Sequence, residues 1–251
     1  MIPDSKGNPC KKQLVSGGTM CARHTREHVA KIRKVMIGTL SYDGRLDVFY
    51  TNSLIETIRK CPDNISIAPI FLSYDSLIQR ARNDTLAMAL QNGFDDLIFI
   101  DSDISWDPEW LFRLLQYPVD VVGGTYRKKS DESEMYVMRI LKNPAEIDTR
   151  TGLMKVDGLG CGFIRLSRKA MQYLWDASEP YQDRGEKRMV FEVVVESDEI
   201  ISEDIWMCTK LKRGGFDIHL DPRICCDHVG IKKFQGNFAN WYDNLNFKKD
   251  T

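Results

Sequence analysis

A chain of 251 residues can bury a substantial core, and 43% hydrophobic with 28% charged residues is the balance of a globular enzyme rather than a disordered chain. The formal net charge of -1 excludes a global pull toward nucleic acid or membrane, so any basic surface must be local. Seven cysteines, a polar start (MIPDSKGNPCKKQ) and apolar runs as short as LIFI point to a reducing cytoplasm, free thiols and no membrane insertion.

Residues 1–30 form a small N-terminal extension that is polar, rich in Gly, Ser and Lys, and holds two of the four histidines; residues 31–251 read as one domain. In the extension, Cys10, Cys21, His24 and His28 give the spacing C-x10-C-x2-H-x3-H. Its two histidines lie one helical turn apart, which suits chelation of a structural zinc ion. A basic leader with incidental Cys and His is the competing reading.

From Lys34 onward the chain alternates strands and helices. KVMIGTL (Lys34–Leu40) reads as a buried strand, and Leu46–Lys60 carries apolar residues at helical spacing. SIAPIFL (Ser66–Leu72) is a second strand, followed by a helix over Ser76–Gly93 that stops at Asn-Gly. DDLIFIDSD (Asp95–Asp103) is a third strand running into acidic residues, Pro108–Tyr117 a helix with proline in its first turn, and Val119–Tyr126 a fourth strand. Leu153–Ser167 reads as a bent strand with a glycine kink, Arg168–Trp175 as a short helix, and Arg188–Ile200 as a strand in an insertion or hairpin. Ser202–Gly215 is a helix with a Ser cap and a Gly stop, and FDIHLDP a last strand. The polar and aromatic end after Gly230 either wraps across the site or frays. Adjacent Cys225 and Cys226 read as packing residues, given the geometry a vicinal disulfide demands.

This order predicts an α/β, Rossmann-like fold: a mostly parallel sheet flanked by helices. Ligands on such sheets bind at the carboxyl ends of the strands, which places Leu40–Asp43, Asp101–Asp103 and Gly123–Tyr126 on one rim. The apolar strand Leu97–Ile100 delivers Asp101 and Asp103 to that rim. On a continuing strand they would point to opposite faces, so the strand must end there for both to serve one ligand. A hard divalent cation needs such oxygen ligands, and a sugar diphosphate needs its charge neutralised by a cation. An acidic turn capping the next helix is the bland alternative, and Asp107-Pro108 already offers a cap. At Ser202-Glu203-Asp204 the acidic residues would suit a helix N-terminus without any catalytic role.

Four pieces in order carry a family resemblance: IGTLSYDG after the first strand, RARN opening a helix, FIDSDI, and SEDIW followed by DHVG. From about Val35 to Gly230 the chain resembles the GT-A glycosyltransferases, particularly the family-2-like and phage-type enzymes. The resemblance implies a metal-dependent transferase that uses a nucleotide-sugar, with UDP-sugar as the expected donor. It implies Thr39, Ser41 and Asp43 near base and ribose, Arg82 and Asn83 reaching the donor (with Arg80 the alternative arginine), and Ser102 within the metal motif. Asp101, Asp103 and His228 would bind Mn2+ or Mg2+, Asp204 would act as general base, and Glu203 would hold an acceptor or sugar hydroxyl. Glycines 158, 160 and 162 would let the backbone contact the transferred sugar or acceptor; a kinked edge strand is the structural alternative. Direct displacement would invert the anomeric centre.

Phage enzymes of this look glycosylate hydroxymethylated bases, so the expected acceptor is 5-hydroxymethylated bases of double-stranded DNA. Local basic and aromatic material supports that: Arg127-Lys128-Lys129, Lys210–Arg213, Lys232-Lys233-Phe234 and Phe238–Tyr242. The tract GNPCKKQLVSGGTMCARH resembles small zinc knuckles, with His28 standing in for an upstream Cys. A cytoplasmic glycan, a lipid-linked intermediate or a protein is the alternative acceptor. A nucleotidyltransferase would open with a glycine-rich phosphate loop, which Gly38-Thr39-Leu40-Ser41 is not. A nucleic-acid-binding module on a decayed scaffold would have no need of intact Asp101, Asp103, Glu203, Asp204 and His228 together.

Overall fold

The computed structural model of the protein describes residues 32–130, 134–140, 145–230 and 233–247. The candidate zinc ligands Cys10, Cys21, His24 and His28 lie outside them. In chain order the elements are β1 (Arg33–Ser41), α1 (Val48–Arg59), β2 (Ile65–Ser73), α2 (Ile78–Gln91), β3 (Asp96–Ile100), β4 (Ile104–Ser105), α3 (Pro108–Gln116) and β5 (Val121–Tyr126). There follow β6 (Met138–Arg139), β7 (Met154–Val156), β8 (Gly158–Leu159), β9 (Phe163–Ser167), α4 (Arg168–Asp176), β10 (Pro180–Gln182) and β11 (Glu186–Arg188). The last are β12 (Val194–Glu196), β13 (Glu199–Ile201), α5 (Glu203–Arg213), β14 (Ile218–Val229), β15 (Lys233–Phe234) and α6 (Phe238–Phe247).

The central sheet runs in the order β15-β14-β5-β9-β3-β1-β2. Strands β2, β1, β3, β5 and β14 share one direction, and β9 lies antiparallel between β3 and β5. This is the expected α/β architecture with a mostly parallel sheet. Side chains alternate across it. Val35, Ile37, Ile98, Ile100 and Phe163 pack with Tyr50, Leu54, Leu111 and Leu114 under α1 and α3. Met36, Leu97, Phe99, Ile164 and Leu166 pack on the other face with Met171, Leu174, Met207, Leu211 and Phe238 of α4, α5 and α6.

Several expected boundaries moved, each for a local reason. The last strand does not end at Pro222: β14 continues to Val229 across a register shift between Leu220 and Cys225. Pro222 falls in that bulge, where a missing N–H costs no ladder bond. Buried Asp221 holds the bulge by accepting from Tyr117 Oη at 2.6 Å, Arg223 N at 3.0 Å and Arg223 Nε at 2.7 Å. Arg188–Ile200 is not one strand. Ser197 and Asp198 turn at positive φ, closing the β12–β13 hairpin, while Phe191 sinks into the core beside Phe99.

The glycine segment lies ahead of β9: Gly158 is in β8, which pairs with β6 in a two-stranded ladder, and Gly160 and Gly162 lie between β8 and β9. A Cβ on Gly162 would stand 2.5 Å from the Tyr126 ring, and one on Gly160 would stand 2.6 Å from Tyr126 Oη. One on Gly158 would meet Ile205 at 2.8 Å. These glycines make room for protein side chains, which accounts for them without a sugar contact. Of the described residues after Gly230, Phe238–Phe247 form α6, whose buried Phe238 and Tyr242 are joined by Trp241 and Tyr136 in an aromatic cluster. Cys61, Cys161, Cys208, Cys225 and Cys226 are all free thiols, and burial raises the Cys226 thiol well above its usual range. Among the described residues, no helix is long and apolar enough to cross a membrane.

Candidate active site

β3 is buried throughout and ends at Ile100, so the chain must turn as it leaves the sheet. It does so through Asp101-Ser102-Asp103, closed by Ile104 N donating to Asp101 O at 3.0 Å. β4 then pairs with the far end of β14, His228 opposite Ile104, and Val229 N donates to Asp103 O at 2.8 Å. This backbone ladder places an imidazole 125 positions downstream beside the acidic turn. His228 Nε2 lies 3.4 Å from Asp103 Oδ2.

The other ring nitrogen, Nδ1, lies 2.9 Å from the Arg127 carbonyl, and the ring packs edge-on against Tyr126. A carbonyl can only accept, so Nδ1 carries a proton and donates. Nε2 faces the Asp103 carboxylate oxygen, and a proton or a cation between the two would satisfy both. Lys129 Nζ already sits on that same oxygen. Burial pushes the Asp103 carboxyl up, but the contacts from His228 and Lys129 outweigh it and hold Asp103 below the usual carboxylate range.

Asp101 is held differently. Arg82, only 3% exposed, places Nη2 3.4 Å from Asp101 Oδ1 and Nη1 2.5 Å from Glu203 Oε1. Burial raises the Asp101 carboxyl, which Arg82 partly offsets and Asp103 reinforces. Burial also works against the Arg82 charge, yet neighbouring Asp101, Glu203 and Asp204 outweigh it and keep the guanidinium charged.

The acidic opening of α5 does not cap the helix in the ordinary way. Ser202 is the N-cap without a side-chain cap bond; its hydroxyl donates to Asp204 Oδ1. The same Oδ1 accepts from Ile205 N at 2.7 Å, and neither bond uses Oδ2. Glu203 is committed to Arg82.

A cavity of about 450 Å³ opens on the rim, lined among others by Ser41, Tyr42, Asp75, Asp101, Ser102, Asp103, Tyr126 and His228. Of the expected site residues, Ser41, Ser102, Asp101, Asp103 and His228 thus meet at one opening. Asp43 does not line it and accepts from Arg45 N at 3.1 Å. Thr39 does not line it either, being buried and bonded to Tyr50 Oη at 2.6 Å. Asn83 is also buried, and accepts from Val190 N at 3.1 Å and Phe191 N at 2.8 Å. It holds that segment rather than facing the opening. Arg80 pairs with the cavity-lining Asp75 at 2.7 Å, whereas Arg82 is the arginine that reaches Asp101 and Glu203.

Tyr126 and Asp75 line the cavity without having been singled out by their residue type. Tyr126 was placed on the rim only as the end of a strand. Its hydroxyl accepts from Gly162 N at 3.1 Å.

Among the described residues, no three His, Cys, Asp or Glu side chains close into a ready-made metal cage. The donor set nevertheless fits a hard divalent cation. Asp103 and His228 converge and Asp101 lies on the same turn, a carboxylate and imidazole set of the kind such cations take.

No protein-family model and no curated protein sequence matches the chain. Among solved structures it is similar to A197 from STIV, at 19% identity and a TM-score of 0.52, over 79% of this chain and 86% of that one. It also matches a mycobacterial protein at 16% identity and a TM-score of 0.39, over 79% of this chain and 68% of that one. The first likeness shows a shared α/β fold.

Proposed function

We propose that this protein is a GT-A-type, divalent-metal-dependent glycosyltransferase that moves a sugar from a nucleotide-sugar, with UDP-sugar the expected donor, to an acceptor hydroxyl. The observation that carries the reading is the meeting of Asp101, Asp103 and His228 at the mouth of a cavity on the carboxyl-end rim. At about 450 Å³ that cavity lies within the range of small-molecule sites. Asp101, Asp103 and His228 would hold Mn2+ or Mg2+, which would offset charge on the leaving diphosphate. Ser41, Tyr42 and Asp75 would line the nucleoside end.

Asp204 takes the acceptor proton on Oδ2 as the hydroxyl oxygen bonds to C1 of the sugar. The C1–O bond to the diphosphate breaks in the same step, the nucleoside diphosphate leaves, and the configuration at C1 inverts. Arg82 fixes Asp101 and Glu203 relative to one another, which makes Glu203 a positioning residue rather than a direct hydroxyl ligand.

The surroundings favour an uncharged hydroxyl acceptor, such as a glycan, over duplex DNA. Of the basic residues expected to meet phosphates, Lys210 pairs with Glu192 at 2.6 Å, Lys212 with Asp157, and Arg213 with Glu196 at 3.0 Å. The hairpin leading into Asp204 adds Asp198 and Glu199, which repel a phosphate backbone.

The test is a panel of nucleotide-sugars with Mn2+ or Mg2+, reading the free nucleoside diphosphate released. Turnover should require metal and be lost in Asp103→Ala, and the fold should survive because the carboxylate is 39% exposed. Full turnover in EDTA would sink the reading. Release of pyrophosphate instead of nucleoside diphosphate would replace it with nucleotidyl transfer.

A further inference from the structure

Lys129 lies in the segment after β5, and its backbone is anchored at several points. Lys128 N donates to Met135 O at 2.8 Å, and Arg127 bridges to Tyr136 across the same turn. The Arg127 guanidinium donates to Gln235 O at 3.2 Å and Ser130 O at 3.3 Å. The main chain is therefore fixed, and the adjustable part is the four-carbon stem of Lys129. Its ammonium rests on Asp103 Oδ2, the atom that faces His228 Nε2.

We propose that Lys129 is a built-in competitor for the metal: its ammonium neutralises Asp103 in the cation-free protein, and a divalent cation binds only by displacing it. This inference rests on the metal-centre reading above. A cation bound between Asp103 Oδ2 and His228 Nε2 would stand within a few ångströms of an ammonium on the same oxygen, where like charges repel strongly. The two states are thus mutually exclusive. The side chain is 33% exposed, which leaves it room to swing out. Once displaced, the ammonium stays on the cavity rim, where it would meet the diphosphate of an incoming donor. Lys129 then opposes metal binding in the empty protein and supports donor binding in the loaded one.

Those opposite signs make a test that does not need turnover. Binding of Mn2+ alone is measured by electron paramagnetic resonance or calorimetry on the full chain. Lys129→Met should tighten Mn2+ by roughly 5- to 150-fold, the usual span of a coupling between two competing contacts. Lys129→Arg, which keeps the charge, should stay near wild type. Lys128→Met removes one nearby positive charge without touching Asp103 and should change affinity little. With Mn2+ saturating, Lys129→Met should weaken binding of UDP. Unchanged or weaker Mn2+ binding in Lys129→Met overturns the proposal, as does an equal gain in Lys128→Met. If Mn2+ binds wild type and is lost in Asp103→Ala while Lys129→Met has no effect, only the competition fails. If neither wild type nor Lys129→Met binds Mn2+, the metal centre fails with it.

Discussion

Asp101, Asp103 and His228 reach the rim by routes that differ in how readable they are. The two aspartates follow an apolar run that must end, so their place at the mouth of the sheet is legible in the sequence. His228 is legible only through its family resemblance, because its position depends on β14 passing a proline bulge and pairing with β4. Lys129 read as part of a basic run, yet its nearest partner is Asp103, a contact between residues 26 apart that no local pattern shows. Asp204 is the sharpest residue to probe. Both of its hydrogen bonds go to Oδ1, so Asp204→Asn can keep them through its amide oxygen while losing the ability to take a proton. Donor binding should stay near wild type, and transfer should fall by roughly 10²–10⁴-fold, the usual contribution of a positioned base. Binding of the donor by calorimetry and single-turnover transfer separate the two effects. A folded Asp204→Asn protein with the wild-type transfer rate would remove Asp204 from the chemistry.

At the scale of elements, the strands and helices up to β5, the short β4 apart, are legible because each strand is a continuous apolar run and each helix carries apolar residues at period 3.6. Legibility falls after that, where side chains rather than periodicity set the chain path. Asn83 is an example: its oxygen accepts both the Val190 and Phe191 amides, fixing the segment between β11 and β12 from α2. Asn83→Ala would leave the buried Phe191 amide unpaired, at a cost of about 1–3 kcal/mol, while Val190 N keeps its bond to Arg188 O at 2.9 Å. Hydrogen exchange should quicken at Phe191 well before the sheet opens, and protection equal to wild type would count against this account. The glycines before β9 are a second case. Their alternation suggested ligand contact, whereas Gly162 is small because the Tyr126 ring lies over it. Gly162→Ala should cost about 1–3 kcal/mol, typical of overpacking, and should disturb the cavity wall formed by Tyr126. A melting temperature equal to wild type would show that Tyr126 yields freely.

Over the whole molecule, a formal net charge of -1 conceals how the charges are arranged. Sequence shows basic runs as candidate phosphate contacts, but the fold pairs several of them with acidic side chains. Lys210, Lys212 and Arg213 hold Glu192, Asp157 and Glu196; Lys129 holds Asp103; Lys233 holds Asp227 at 2.5 Å. Lys210 is the clearest instance, since its ammonium also donates to Val190 O at 3.2 Å and its side chain is largely buried. Binding to a duplex depends on cations free to release counterions from phosphate, and its affinity falls with salt in proportion to the number of such contacts. A protein whose basic residues are already paired should make few of them. The expectation is weak retention of duplex DNA at physiological salt, with or without 5-hydroxymethyl bases, and a shallow salt dependence where binding is seen at all. Modified duplex should also leave the rate of nucleoside diphosphate release unchanged, because it would not be used as acceptor. Filter binding across a salt series, run beside donor turnover, reads both quantities. A slope of log affinity against log salt corresponding to roughly 6–10 phosphate contacts, together with faster release on hydroxymethylated duplex, would show that these ion pairs open for DNA and would restore it as the acceptor.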